Sequence, residues 1–127
     1  MGISMNKKIT ISEAELEILD VLWEADRALN TNEIRSLLNE KKKWERTTVL
    51  TFIRRLLEKE VLTQEKKEVY YYAPCIKRED YVKNETKSFV DRLYKGSSKN
   101  LAAALVSSEQ LTKEDIEELR DYFNKNI

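Results

Sequence analysis

Trp44-Glu45-Arg46-Thr47-Thr48-Val49-Leu50-Thr51-Phe52-Ile53-Arg54-Arg55-Leu56-Leu57-Glu58-Lys59 carries two messages at once. Val49, Phe52, Ile53, Leu56 and Leu57 fall at i, i+3, i+4, i+7 and i+8, the spacing of one buried helix face. This predicts a helix opening at Trp44 and Glu45 and running through about Lys59. At about 100° per residue, Thr47, Thr51, Arg54 and Glu58 lie on the opposite side, with Thr48 and Arg55 on one flank. One face is built for a core, and the other offers hydroxyls, methyls and guanidinium groups.

Working outward, two helices precede this one. Ser12 followed by Glu15 is a capping box, and Leu16, Leu19, Val21, Leu22 and Trp23 supply an apolar stripe ending near Ala25 or Asp26. Ala28 and Leu29 form a short extended piece. Asn30 or Thr31 then caps a second helix, with Glu33 assisting and Ile34, Leu37 and Leu38 facing inward. After the third helix, Val61-Leu62-Thr63-Gln64 and Val69-Tyr70-Tyr71-Tyr72 read as strands around a Glu65-Lys66-Lys67-Glu68 turn, which lacks the Gly or Asn of the tightest hairpins. Ala73-Pro74 stops the second strand. Three helices and a hairpin over residues 9–74 are the plan of a winged helix-turn-helix. Residues 1–8 have no periodicity and read as a frayed arm.

Residues 77–127 read as helical. Tyr81, Val82, Phe89, Val90, Leu93 and Tyr94 suggest a long helix ended by Gly96-Ser97-Ser98. A short apolar helix follows from about Asn100 to Val106, and Thr112 opens a last one. Phe89, Leu93, Leu101, Leu105, Ile116, Leu119 and Phe123 cannot be enclosed by three helices alone. A second copy of the chain is the economical partner, so this part reads as a dimerisation domain. The fold class is mainly α.

Composition narrows the function. The 127 residues include no histidine, one cysteine, 2 Gly and 1 Pro. The commonest general base and metal ligand is therefore absent, and no internal disulfide can form. No phosphate-cradling glycine loop, nucleophile elbow or metal-ligand cluster occurs, so neither catalysis nor a cofactor is expected. Cys75 reads as a free thiol in a reducing cytoplasm. The longest apolar run, Leu101 to Val106, is far short of a membrane span, and the chain reads as cytosolic.

Lys plus Arg equals Asp plus Glu, 23 each, yet the charges are segregated. From Lys41 to Lys67 the chain carries nine cations, including Lys41, Lys42, Lys43, Arg46, Lys66 and Lys67, against four anions. From Ile11 to Glu40 eight acids face only Arg27 and Arg35. Three lysines alone are ordinarily a solvated run. Joined to a threonine-rich helix face and a basic hairpin tip, they match a DNA-facing surface whose acidic back orients the approach. Trp23 and Trp44 read as packing residues. Tyr71 points opposite to Tyr70 and Tyr72 by strand alternation, which favours filling over base stacking.

These residues resemble the penicillinase repressors of the BlaI/MecI/CopY type. The likeness runs through Ile11-Ser12-Glu13-Ala14-Glu15-Leu16-Glu17-Ile18-Leu19 and Val21-Leu22-Trp23. It resumes at Trp44, Thr47-Thr48-Val49, Thr51-Phe52-Ile53, Arg55-Leu56 and Lys59, and reaches Tyr94-Lys95-Gly96 and Leu111-Thr112-Lys113-Glu114-Asp115-Ile116-Glu117-Glu118-Leu119. The resemblance implies a homodimeric repressor on a palindromic DNA operator. In that setting Thr47, Thr48, Thr51, Arg54 and Arg55 are the expected base readers, and Lys41, Lys42, Lys43, Arg46, Lys66 and Lys67 the expected backbone contacts. A winged helix used purely as a protein-interaction module is the alternative.

Three departures from the family pattern stand out. Glu60 replaces the usual Gly after the third helix, where a left-handed backbone costs a non-glycine residue on the order of 1 kcal/mol; a looser or reshaped helix end is expected. The Cys-x-Cys of the copper-responsive branch is absent from Asn124-Lys125-Asn126-Ile127. In the β-lactam branch a sensor with a zinc-protease domain leads to cleavage at an Asn-Phe bond, and the matching pair here is Ala104-Leu105. Loss of the Asn amide implies poor recognition by such a protease, with Ala104 and Leu105 serving as dimer core.

Overall fold

The computed structural model describes residues 9–127; the expected N-terminal arm lies outside them. The chain forms two compact units, one ending at Val82 and one spanning Lys83–Ile127.

In the first unit, α1 (Glu13–Ala25) opens with the expected capping box. Ser12 Oγ accepts from the Glu15 amide at 3.1 Å, and Glu15 Oε1 accepts from the Ser12 amide at 2.8 Å. The short β1 (Leu29–Asn30) leads into α2 (Thr31–Leu38), where Asn30 and Glu33 form a second capping box. The third helix, α3, runs Arg46–Glu58. Strands β2 (Leu62–Lys66) and β3 (Tyr70–Pro74) form the wing, and the antiparallel sheet has the order β1-β3-β2. Leu29 faces Tyr72, and Gln64 faces Tyr72 from the other side.

The core joins Ile18, Leu19 and Leu22 of α1, Ile34 and Leu38 of α2, and Val49, Ile53 and Leu56 of α3 to Leu29, Val61, Leu62 and Tyr72. Removing this apolar surface from water is the main stabilising term of the unit. Ile76 and Tyr81 join the same core. Trp23 Nε1–H donates to the Ile76 carbonyl at 3.1 Å, and its ring lies 5.9 Å from Tyr81. The first unit therefore extends past residues 74–77, into the helix that follows.

The structure corrects several local expectations. Leu37 is 46% exposed. Thr31, Ile34 and Leu38 define the buried face of this short helix, and Leu37 lies roughly a quarter-turn from its centre. Phe52 and Leu57 flank the buried line of α3 and are only half-buried. The hairpin turn is tighter than expected: Glu65 and Lys66 pair with Tyr71 and Tyr70, leaving Lys67-Glu68-Val69 as the turn, with the Lys67 amide donating to the Val69 carbonyl at 3.0 Å.

The end of α3 is not loosened by Glu60. Its φ is +62°, the Val61 amide donates to the Leu56 carbonyl at 3.1 Å, and the Glu60 amide to the Leu57 carbonyl at 3.0 Å. These are the paired bonds of a Schellman ending, formed here without glycine. Cys75 secures the same turn. Its amide reaches the Val61 carbonyl at 3.0 Å and its thiol donates to the Glu60 carbonyl at 2.9 Å. Burial raises the thiol pKa, as suits a group kept neutral.

Helix α4 (Arg78–Tyr94) crosses from the first unit into the second, which continues with α5 (Ser98–Ser107) and α6 (Lys113–Asn126). A Thr112–Asp115 capping box starts α6, and Glu109 at φ +61° ends α5 in a second Schellman turn. Among the described residues of this unit only Val90 is buried, so it encloses no core of its own. No helix among the described residues is long and apolar enough to cross a membrane.

Candidate nucleic-acid interface

The connection into α3 is fixed by Arg35. Its Nε–H donates to the Trp44 carbonyl at 3.0 Å, and its guanidinium lies 3.7 Å from the Glu45 carboxylate. Trp44 packs on Phe52 at 5.2 Å between ring centroids. Glu45 caps α3 by backbone conformation alone, with no side-chain hydrogen bond. Its first turn contains no acid, and the Glu45 carboxylate stands at the positive end of the helix dipole.

Thr47, Arg54 and Arg55 are exposed on α3, and Thr48 and Thr51 lie beside them, both half-buried. The Thr51 hydroxyl donates to the Thr47 carbonyl at 2.9 Å. Its proton is thereby engaged, and the side chain offers a ligand its methyl group and an oxygen acceptor. Arg55 lies over the Phe52 ring at 5.5 Å, which restrains the guanidinium, while Arg54 has no ion-pair partner among the described residues. Glu58 shares this face and limits its positive charge.

Lys41, Lys42 and Lys43 are exposed between α2 and α3, and the Lys41 and Lys42 amides both bond the Leu38 carbonyl as the helix unwinds. On the wing, the ammonium groups of Lys66 and Lys67 stand 5.9 and 5.5 Å from the ring centroids of Tyr70 and Tyr71. Arg46, at the start of α3, and Lys66, on the wing, line one groove although distant from each other in sequence. Lys59 does not belong to the cationic face, although it lies in the basic stretch. It bonds Glu15 Oε1 at 2.5 Å and the Thr10 carbonyl at 2.7 Å. Burial favours the neutral acid at Glu15, but Lys59 and the Ser12 amide outweigh it and hold the carboxyl below its ordinary pKa.

Sequence reasoning missed Arg35 as a clasp, Glu15 as a buried ionised group and Thr31, Asn32 and Tyr70 as neighbours of Arg46. The Glu15 capping motif was visible. Its near-complete burial, at 1% exposure, was not, because a cap is ordinarily solvent-facing.

In the second unit Phe89, Leu93, Leu119 and Phe123 are exposed by 38, 56, 41 and 53%. Leu101, Leu105 and Ile116 are half-buried. Phe89 packs against Tyr94 at 6.0 Å. Ala104 and Leu105 lie inside α5, where the Ala104 carbonyl accepts from the Ser108 amide and from the Ser107 and Ser108 hydroxyls.

The family model described as penicillinase repressor matches residues 11–125. A penicillinase repressor of Staphylococcus aureus is 34% identical over 120 residues, covering 94% of each chain. The methicillin resistance regulatory protein MecI of the same species is 31% identical over 121 residues, covering 94% of this chain and 98% of that one. The solution structure of the Bacillus licheniformis BlaI monomeric form in complex with the blaP half-operator is also similar. It has 37% identity and a TM-score of 0.51, over 59% of this chain and 92% of that one.

Proposed function

Because this chain belongs to the penicillinase repressor family, we propose that it is a DNA-binding transcriptional repressor that acts as a homodimer on a palindromic operator. The observation that carries this reading is the outer face of α3. Thr47, Thr48, Thr51, Arg54 and Arg55 lie together on a helix whose opposite face is locked into the core. Inserted in the major groove, threonine methyls and oxygens address thymine and adenine edges, and an arginine pairs with guanine or with phosphate. Lys41–Lys43 and the wing supply backbone contacts that set register without reading sequence.

The exposed apolar side chains of the second unit support dimerisation, since large ones such as Phe89, Leu93, Leu119 and Phe123 on one small unit need cover. Two copies would set the recognition helices about 34–36 Å apart, one turn of DNA. A sensor protease is a further partner proposed on family grounds, with Ala104-Leu105 as the corresponding bond.

Selection of bound sites from a random DNA pool tests the function directly. The expected product is an inverted repeat whose half-sites lie about one helical turn apart. Absence of retardation of any duplex at low salt would refute DNA binding, and a recovered single half-site would refute the dimeric arrangement.

A further inference from the structure

The N-terminus of α2, the first turn of α3 and the wing border one groove, in which Arg46 and Lys66 come together with Thr31, Asn32, Tyr70 and Glu68. Thr31 is only 7% exposed, and its hydroxyl has no hydrogen-bond partner among the described residues. No buried side-chain polar atom among them is left without a partner, so the hydroxyl is not sealed in but reaches the groove. A threonine held this way is restrained by its surroundings while its hydroxyl stays open to a group that enters the groove.

The charges around it point to an anion. The side chains of Asn30 and Glu33 already satisfy each other's amides, whereas the amides of Thr31 and Asn32 head the helix, where intrahelical acceptors are lacking. They present the positive end of the α2 dipole. Arg46 lines the groove from the first turn of α3, and Lys66 from the wing. Glu68 is the single opposing charge in the groove, and it sits at the turn.

We propose that this groove is a specific clamp for one DNA backbone phosphate. The Thr31 hydroxyl and Asn32 donate to it, and Arg46 and Lys66 neutralise it. The clamp rests on the DNA-binding reading above and deepens it. Because α2, α3 and the wing would share one phosphate, the contact fixes the angle at which α3 enters the groove, which loose lysine contacts cannot do.

The test uses the full chain with a random-sequence duplex of about three helical turns at low salt, and variants Thr31→Val, Thr31→Ser and Arg46→Ala. Thr31→Val keeps the branched shape and removes only the hydroxyl. It is expected to weaken binding about tenfold to a hundredfold, the loss of one hydrogen bond to a charged group, without changing the slope against salt. Thr31→Ser should restore affinity, and Arg46→Ala should weaken binding and lower the salt slope by about one. Circular dichroism melting establishes that each variant is folded, and Asn32→Ala substitutes for Thr31→Val if the latter is not.

Wild-type affinity in Thr31→Val, with weakened binding in Arg46→Ala, would overturn the clamp and leave the DNA-binding reading intact. Failure of the unaltered protein to bind any duplex would overturn both. Tight uptake of inorganic phosphate, lost in Thr31→Val while duplex binding is unaltered, would reassign the groove to a free anion and overturn the DNA assignment.

Discussion

Lys59 Nζ stands 2.5 Å from Glu15 Oε1 and ties the first turn of α1 to the residue that closes α3. The carboxylate is 1% exposed and the lysine side chain 35% exposed, so one partner is in the core and the other reaches water. The link ties the end of α3 to the start of α1.

Lys59→Met strands a buried carboxylate and should destabilise the protein more than Glu15→Gln, which leaves a half-exposed lysine able to hydrate. A loss of about 2–3 kcal/mol is expected for Lys59→Met, below the full value for a buried pair because solvent reaches one partner. Urea denaturation of both variants measures the difference. Equal losses would show that the pair contributes little as an ion pair.

The same pair predicts a pH dependence. The folded-state pKa of Glu15 is depressed, so its stabilising contribution is present above the unfolded carboxylate value and disappears as pH falls through the folded one. Stability should therefore drop below about pH 4, and Glu15→Gln should flatten that part of the curve. A curve unchanged by the substitution would assign acid sensitivity elsewhere.

Glu60 predicts a gain on mutation. Glu60→Gly removes the cost of a left-handed backbone but adds freedom to the unfolded chain, for a net gain of about 0.5–1 kcal/mol. Glu60→Val should lose stability, since a β-branched residue suits that conformation least. Thermal melting distinguishes the two.

Arg54→Ala should weaken operator binding by about 1–3 kcal/mol if the side chain pairs with guanine, or lower the salt slope by about one if it meets phosphate. Arg55→Ala should behave alike while also freeing the Phe52 ring. Titrations of the selected operator at several salt concentrations read both quantities. Unchanged affinity and slope in both variants would remove α3 from the interface.

Leu119→Asp with Phe123→Asp should convert the protein to a monomer in sedimentation at micromolar concentration and weaken binding to a full operator more than to a half-site. A monomeric unaltered protein would contradict the dimer.

The Ala104-Leu105 bond should resist a β-lactam sensor protease of the usual specificity. It lies in a formed helix, and its carbonyl already accepts three hydrogen bonds. Mass spectrometry of the repressor from induced cells carrying such a sensor checks this. A fragment ending at Ala104 would refute it.

The amino-acid sequence by itself determined the elements and the main line of their inward faces, though not that Leu37 would be exposed. Ser12 with Glu15, Asn30 with Glu33 and Thr112 with Asp115 announce helix starts through bonds spanning three residues, and the spacing from Val49 to Leu57 orients α3. Such interactions are local, so periodicity and capping chemistry reveal them. Segregation of charge between Ile11–Glu40 and Lys41–Lys67 was equally legible. Tertiary structure alone decided which of those charges are available. Lys59 is consumed by Glu15, 44 residues away, and Arg35 by the Trp44 carbonyl and Glu45, whereas Arg46 and Lys66 meet Thr31 at one groove. Those pairings depend on how α1, α2, α3 and the wing pack against one another, and no spacing rule along a single helix or strand encodes a contact between elements.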